Sequence, residues 1–518
     1  MIEINHDLEK KILDDFFLKH QEQQEERNRI LADNEKLYSE NKKMISENAN
    51  LQQTVLQLEQ ELQRIYASKS YRVFHNRVTR FLGRCLRRSH NQDIAMVNED
   101  KIILTPSIEQ CKREPELGAK ISVIVPTYNG ADTLIRQFGL LSTQLGIADV
   151  ELIMVDSGST DETIEIGKLF GARVIQITQE EFSHSYARNL GAKNATGDYL
   201  LFMTQDAIPT DEYWLYRLFA PIIQGHVVAV SPMELETSQG DMKYKIDIES
   251  HMRFLGVFEQ DKIGSMPDKQ DYYNMRVNAQ LCDVTCLIKK DVFLKYGYHG
   301  SFAEDLDLGL KLIRDGYTIG LVASTRVLHS HNRSALYNLK RCYVDVKRIK
   351  ELLTDFPMVE RSEKQLIDEI AEEYMYINTF INSMCNKFEE KALDEYIIMV
   401  NDVLKQALVV EDKKVMDGIY DQQLDEILDS IIPSLVYDKN TGKKIEMPQE
   451  LAQYFEYSVI PYLRTRYDRI DIELNKQIME AFYKTFASFT GVKIAEYNYY
   501  STKNDAIKMM ARKLSGGV

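Results

Sequence analysis

No stretch of this chain approaches the ~20 consecutive apolar residues that a membrane-spanning helix needs. The opening MIEINHDLEKK also lacks the apolar core of a signal peptide. A chain without either is expected to be made and kept in the cytoplasm. Positive charge is in short supply: the formal net charge is −15. General nucleic-acid binding, which needs a basic surface, is excluded on that ground. Cysteine is sparse, with 6 scattered through 518 residues. Cys282 and Cys286 form the only close pair, and neither a second pair nor a histidine set completes a zinc site, so reduced thiols are expected. What is present is ordinary for a soluble protein, 44% hydrophobic and 28% charged. The length leaves room for about two to four domains with real cores.

Local absences divide the chain. Residues 1–66 are almost free of Gly and Pro, and apolar residues recur every seven at Ile30, Leu37, Met44, Leu51, Leu58 and Ile65. The companion register holds Arg27, Asn34, Asn41, Asn48, Val55 and Leu62. Buried Asn pairs best with its own copy, so the heptads predict a parallel homodimeric coiled coil through 27–65, with a trimer as the alternative. From Ser68 to His90 there is no acid, while Lys69, Arg72, Arg77, Arg80, Arg84, Arg87 and Arg88 accompany Phe74, Val78, Phe81, Leu82 and Cys85 at helical spacing. Such a helix fits an anionic membrane surface, or else the acidic body of the chain itself. Residues 67–118 are read as this helix and a linker. Beyond about Ser334 strand signals fade, and runs such as EKQLIDEIAEEYMYINTFI carry 3.6-residue apolar stripes, which predicts a helical C-terminal domain over 335–518. Its tail, AIKMMARKL, is basic and apolar, a candidate second membrane contact.

Between these segments, residues 119–334 alternate strand and helix, an α/β domain. Apolar runs Ile121–Val125, Val150–Val155 and Leu200–Met203 each stop at a polar loop, as buried parallel strands in βαβ units do. The last two are followed closely by Asp156 and Asp206. Ligands of open α/β sheets sit outside the carboxyl ends of the strands, so these carboxylates are the leading site candidates. Glu304 and Asp305 open an amphipathic helix carrying Leu306, Leu310 and Ile313. A carboxylate in a first helical turn is also simply favourable there.

ISVIVPTYNG, VDSGSTDET, ARNLGAKNATGDYLLFMTQDA and FAEDLDLGLKLIRDGY, in that order, resemble the GT-A fold glycosyltransferases of family 2. FSHSYARN, TQDA and VLHSHNRS resemble more narrowly its bacterial rhamnosyltransferase branch. The resemblance implies a nucleotide-sugar donor, with Pro126, Thr127, Tyr128 and Asn129 closing over the base and Asp156 accepting from its N3–H. An Asx-type turn is the compatible alternative for Asp156. Ser157 stands where the family often has a second Asp. Gln205 and the i, i+4 pair His184 and Arg188 are assigned to the donor, the pair to its diphosphate; a surface ion pair with Glu180 or Glu181 is the alternative for Arg188. Asp206 is the implied ligand of Mg²⁺ or Mn²⁺, although Thr204 replaces an Asp of the family pattern. His331 or His329 could add a ligand. At most one of them is expected to face the site. Asp305 is the implied catalytic base and Glu304 its neighbour in acceptor binding.

The whole reads as an inverting, metal-dependent transferase moving a sugar, L-rhamnose from dTDP-rhamnose first among candidates, onto a bacterial cell-surface polysaccharide. The acceptor is expected to be lipid-linked and the enzyme peripheral on the inner face of the membrane. The rivals are a UDP-sugar donor (galactose or GlcNAc) and a degenerate dimeric scaffold, the latter motivated by Thr204 and Ser157.

Overall fold

The computed structural model describes residues 101–238, 240–386, 388–409, 419–431 and 444–497, together with Leu514. The coiled coil expected over 27–65 and the basic helix expected over 68–90 lie outside the described residues, as does the tail AIKMMARKL except for Leu514, which is buried in the helical core. The described residues belong to one compact unit, Lys101–Val518.

Apolar runs between turn signals become the strands of a nine-stranded sheet. They are β1 (Leu117–Thr127), β2 (Ile147–Asp156), β3 (Arg173–Gln176), β4 (Tyr199–Met203), β5 (Ile208–Pro209), β6 (Ala229–Leu235), β7 (Lys262–Gly264), β8 (Thr285–Lys289) and β9 (Ile319–Leu328). The order is β3-β2-β1-β4-β8-β6-β9-β5, with β7 pairing on β9. β1 pairs parallel with β2 and β4, and β6 parallel with β9. β8 runs against both its neighbours, β4 and β6. Two reversals restore direction, so β1, β2, β4, β6 and β9 all end on one edge of the sheet and β8 begins there. The loops carrying Asp156, His184, Asp206 and His329 leave from that edge, whereas Glu304 and Asp305 follow the far end of β8 and the helix Lys290–Tyr296.

Helices cover the sheet, and each start has a local cause. Ser183 caps α1 (His184–Asn194) by accepting from Tyr186 N, and Asp241 caps α2 (Met242–Leu255), which stops at Gly256 with φ +77°. α3 (Glu304–Arg314) has no side-chain cap; Ala303 before it is held at φ 50°. Gly309 seats α3 against the preceding segment: a Cβ there would lie 1.8 Å from the Ala279 carbonyl oxygen.

The apolar stripes beyond Ser334 form α4 (Ala335–Leu352), α5 (Glu363–Cys385) and α6 (Ile472–Glu496), capped by Ser334, Ser362 and Asp471. Gly491 brings α6 against α4, since a Cβ would lie 2.3 Å from Leu339 O. Two short ladders, Lys391–Ala392 with Arg469–Ile470 and Leu408–Val409 with Lys444–Ile445, tie loops between these helices. Their core is aromatic-rich, including Tyr343, Tyr376, Phe380, Tyr396, Phe482 and Phe486, and it takes in Met242 and Ile246 from α2.

One segment departs from expectation. Residues 101–116, read as linker, dock on the α/β body. Asp261, 1% exposed, accepts from the amides of Leu104, Ala323 and Ser324, and Arg217 donates to Pro106 O. A buried carboxylate satisfied by three backbone amides leaves no sequence pattern that a local reading could detect.

Candidate active site

Asp206 lies in the turn beyond β4, and β5 immediately after it pairs Ile208 with Leu328, the last residue of β9. His329 and His331 are two positions apart, so the extended chain running on from β9 presents both to one face, and His329 N still bonds Leu235 O at 3.1 Å. His329 Nε2 stands 3.4 Å from Asp206 Oδ1 and His331 Nδ1 3.9 Å from Oδ2. Both histidines therefore face the carboxylate, which corrects the expectation that at most one would. One ligand atom from each of the three residues lies within 4.8 Å of the others, the one such His/Cys/Asp/Glu group among the described residues.

His329 is 4% exposed and held from behind. Its Nδ1 is 2.5 Å from Glu234 Oε2 and 2.7 Å from Tyr244 OH, and Tyr244 donates to the same carboxylate. Its Nε2 is buried without a hydrogen-bond partner. Burial opposes a charged imidazole, but Asp206 and Glu234 on either side outweigh it and push His329 up to about 10. Burial and then the His329 charge push His331 down to about 4. Burial would raise Asp206; the two imidazoles nevertheless hold it well below the usual carboxylate range. A positive charge is wanted where three ligand atoms meet. The residues fit a divalent cation: Nδ1–H on a carboxylate leaves the Nε2 lone pair for a metal, the usual support of a ligating histidine. Two imidazoles beside a carboxylate are a mixed nitrogen and oxygen donor set for a divalent metal.

Asp305 and Glu304 face different partners. Glu304, 3% exposed, takes Arg188 Nη1 at 3.0 Å. Arg188 is itself 1% exposed and gives Nη2 to the Asp283 carbonyl at 2.9 Å. It is neither an open diphosphate grip nor a surface partner of Glu180 or Glu181; α1 points it inward, while His184 at the helix start is exposed. Asp305 accepts from Gln280 Nε2 at 3.2 Å and from Leu306 N at 2.8 Å. It lines a cavity of about 200 Å³ with Glu234, Cys282, Asp283, Arg276 and Arg341. Burial, with Asp283 and Glu304 alongside, pushes Asp305 up to about 8. Burial and Asp283 raise Glu304 as well, with Arg188 pulling the other way. Glu234 therefore links the two halves, touching His329 on one side and lining the Asp305 cavity on the other.

The remaining donor candidates divide by exposure. Thr127, Asp156 and Ser157 are buried at 2%, 0% and 3%. Asp156 Oδ1 accepts from Gly158 N and Ser159 N, and Oδ2 from Thr127 Oγ1 and Ser159 Oγ. Four donors fill its lone pairs, so the Asx-type turn is the reading the geometry realises. Ser157 Oγ donates to Thr127 O and also serves the loop. Pro126 pairs across to Val155 in the sheet. Tyr128 and Asn129 are exposed, Asn129 at φ 45°. Gln205 pins Tyr128 by accepting from its amide at 2.9 Å and donating to its carbonyl at 3.1 Å. The two non-glycine residues at positive φ among the described residues, Asn129 and Ala303, thus sit beside the donor loop and beside Glu304. Strained backbone concentrates at functional sites.

Local reading missed Glu234, Tyr244, Gln280 and Asp283. Glu234 had a usable signal, a carboxylate at the end of an apolar run, as at Asp156 and Asp206. Tyr244, on α2, had none.

A mixed α/β sheet thus gathers on one edge its polar loops, a carboxylate–histidine cluster and a carboxylate-lined cavity. Residues 122–292 match the family model described as glycosyl transferase family 2. The chain carries that domain and is a glycosyltransferase. It is 26% identical over 230 residues to the O-antigen chain rhamnosyltransferase RfbN of Salmonella typhimurium, covering 43% of this chain and 70% of that one. It is also 26% identical over 227 residues to the O-antigen chain rhamnosyltransferase WbaN of Salmonella anatum, covering 43% and 70%. Among solved structures, that of S. aureus TarS 1–349 in complex with UDP-GlcNAc is 17% identical with a TM-score of 0.35, covering 67% of this chain and 90% of that one.

Proposed function

We propose that the chain is a metal-dependent, inverting glycosyltransferase that moves L-rhamnose from dTDP-rhamnose to a growing bacterial cell-surface polysaccharide. The observation that carries the reading is the pairing of two groups on one sheet edge: Asp206, His329 and His331, and the Asp305 cavity that Glu234 joins to them. The rhamnose part is supported by the two rhamnosyltransferase relatives.

Asp206, His329 and His331 would hold a divalent cation, Mn²⁺ before Mg²⁺, which would supply positive charge for the donor diphosphate. Tyr128 and Asn129 cover the base, on a loop that Asp156, Ser157 and Gln205 hold in shape. Asp305 takes the acceptor hydroxyl proton as that oxygen attacks the anomeric carbon in line. A carboxyl raised toward the working pH is suited to the task. Glu304, fixed by Arg188, shapes the acceptor side. His184, exposed at the start of α1, reaches the diphosphate. The acceptor is lipid-linked, and the enzyme works as two paired copies at the anionic inner face of the membrane.

The full chain with Mn²⁺, offered dTDP-rhamnose, UDP-galactose and UDP-GlcNAc, is expected to turn over dTDP-rhamnose. Turnover of a UDP-sugar alone removes rhamnose from the reading. No turnover of any donor removes the mechanism.

A further inference from the structure

The loop that carries both histidines, residues 329–333, keeps one bond to β6, His329 N to Leu235 O at 3.1 Å, and a second just past it, Thr237 N to Ser330 Oγ at 2.6 Å. From His331 onward it is held by Asp241. The Asp241 amide donates to the His331 carbonyl at 3.1 Å. Its Oδ2 accepts from Arg333 N at 3.1 Å, and its Oδ1 accepts from Tyr244 N at 2.8 Å as the cap of α2. One side chain thus fixes the histidine loop and also the helix turn that aims Tyr244 at His329.

Asp241 is buried against a cation from the opposite end of the chain. Lys484, in the middle of α6, gives Nζ to Asp241 Oδ2 at 2.8 Å, with side chains 5% and 7% exposed. The same ammonium reaches Asn332 Oδ1 at 3.4 Å, inside the histidine loop, and Glu480 Oε1 at 2.7 Å. A second strut joins nearby, since Arg466 bonds Glu249 on α2 and Glu236 just past β6. Met242 and Ile246, flanking Tyr244 on α2, are packed in the helical core.

Burying an ion pair is costly, and a well-packed apolar pair would generally serve stability as well or better. What an ion pair adds is one required geometry. We infer that Lys484 and Asp241 are positioning residues for the metal site: the helical C-terminal region sets the histidine loop through this pair, which gives that region a part in the chemistry. The inference rests on the reading of Asp206, His329 and His331 as metal ligands.

The test is Mn²⁺ alone, titrated into the full chain and followed by the electron paramagnetic resonance of the free ion, without donor or acceptor. Lys484→Met keeps the bulk and removes the charge. Asp241→Asn keeps the shape and the helix cap, and circular dichroism with Tm checks the fold of both variants. Each is expected to weaken Mn²⁺ binding about 10- to 100-fold, the usual effect of losing support behind a metal ligand. Glu480→Gln, which leaves the Asp241 contact in place, should bind as wild type does. Wild-type affinity in Asp241→Asn overturns the inference. A wild-type chain that takes up no Mn²⁺ overturns the metal reading and the inference with it.

Discussion

The α/β region and the helical region bury polar groups to opposite ends. Helical-region pairs mostly close on themselves: Lys493 on Glu373, Arg361 on Glu369 and Glu496, Tyr374 and Tyr483 on Asp425, Tyr396 on Asn475. In the α/β region Asp206, Glu234, Asp283 and Asp305 crowd one sheet edge; against burial, His329 holds the first two low and Arg188 and Arg341 the third, while burial and its carboxylate neighbours raise Asp305. One region uses buried charge for shape; the other stores it for reaction. The difference comes from where strands stop: the ends of β1, β2, β3, β4, β6 and β9 and the starts of β5 and β8 converge on an edge, and backbone that has left the sheet is free to carry function.

The sharpest way to break this contrast is Asp305→Asn. It should lower transfer at least ~10³-fold, near the upper range for a general base, while donor binding stays within a few-fold; retained transfer would move the chemistry elsewhere. Asp206→Asn should reduce Mn²⁺ affinity about 10²-fold, measured by titration, and chelation of wild type should abolish turnover reversibly.

The helical region should respond differently. Gly491→Ala forces a Cβ toward Leu339 O and should destabilise by roughly 1–3 kcal/mol, as overpacking does, visible as a lower Tm with the donor KM unchanged.

The smallest expected effect is with pH. Asp305 is raised from its ordinary range to about 8, so the folded state holds its proton more tightly than the unfolded chain does. Its contribution to stability is complete below the ordinary carboxylate range and is lost as pH rises through about 8. The transfer rate should climb over the same interval, because only the ionised form accepts a proton. Tm and rate with opposite slopes, and a Tm slope flattened in Asp305→Asn, would confirm the sign; parallel slopes would refute it.

Much of the α/β layout was legible because it is local. Runs ending at Asp156 and Met203 read as buried strands, and they are β2 and β4. Three amphipathic stripes beyond Ser334 read as helices, and they are α4, α5 and α6. What failed to show was long-range. Arg188 meets Glu304 across 116 positions and Asp241 meets Lys484 across 243, and no periodicity marks either. The two histidines were misjudged for a subtler reason. Alternation puts positions two apart, such as 329 and 331, on one face, so the rule correctly applied predicts the pair that the structure brings together.

Gly309 carries a consequence for tuning the enzyme. Its missing side chain lets α3 rest almost on the Ala279 backbone, next to the Gln280 that grips Asp305. Adding a single methyl would lift the helix by more than an ångström, since an ordinary contact is about 3.4 Å and 1.8 Å is available. A shift of that size can cost about two orders of magnitude in rate. The proton acceptor could thus be mistuned while every reacting group kept its identity, making this hydrogen-for-methyl position a mechanical adjustment screw for the reaction.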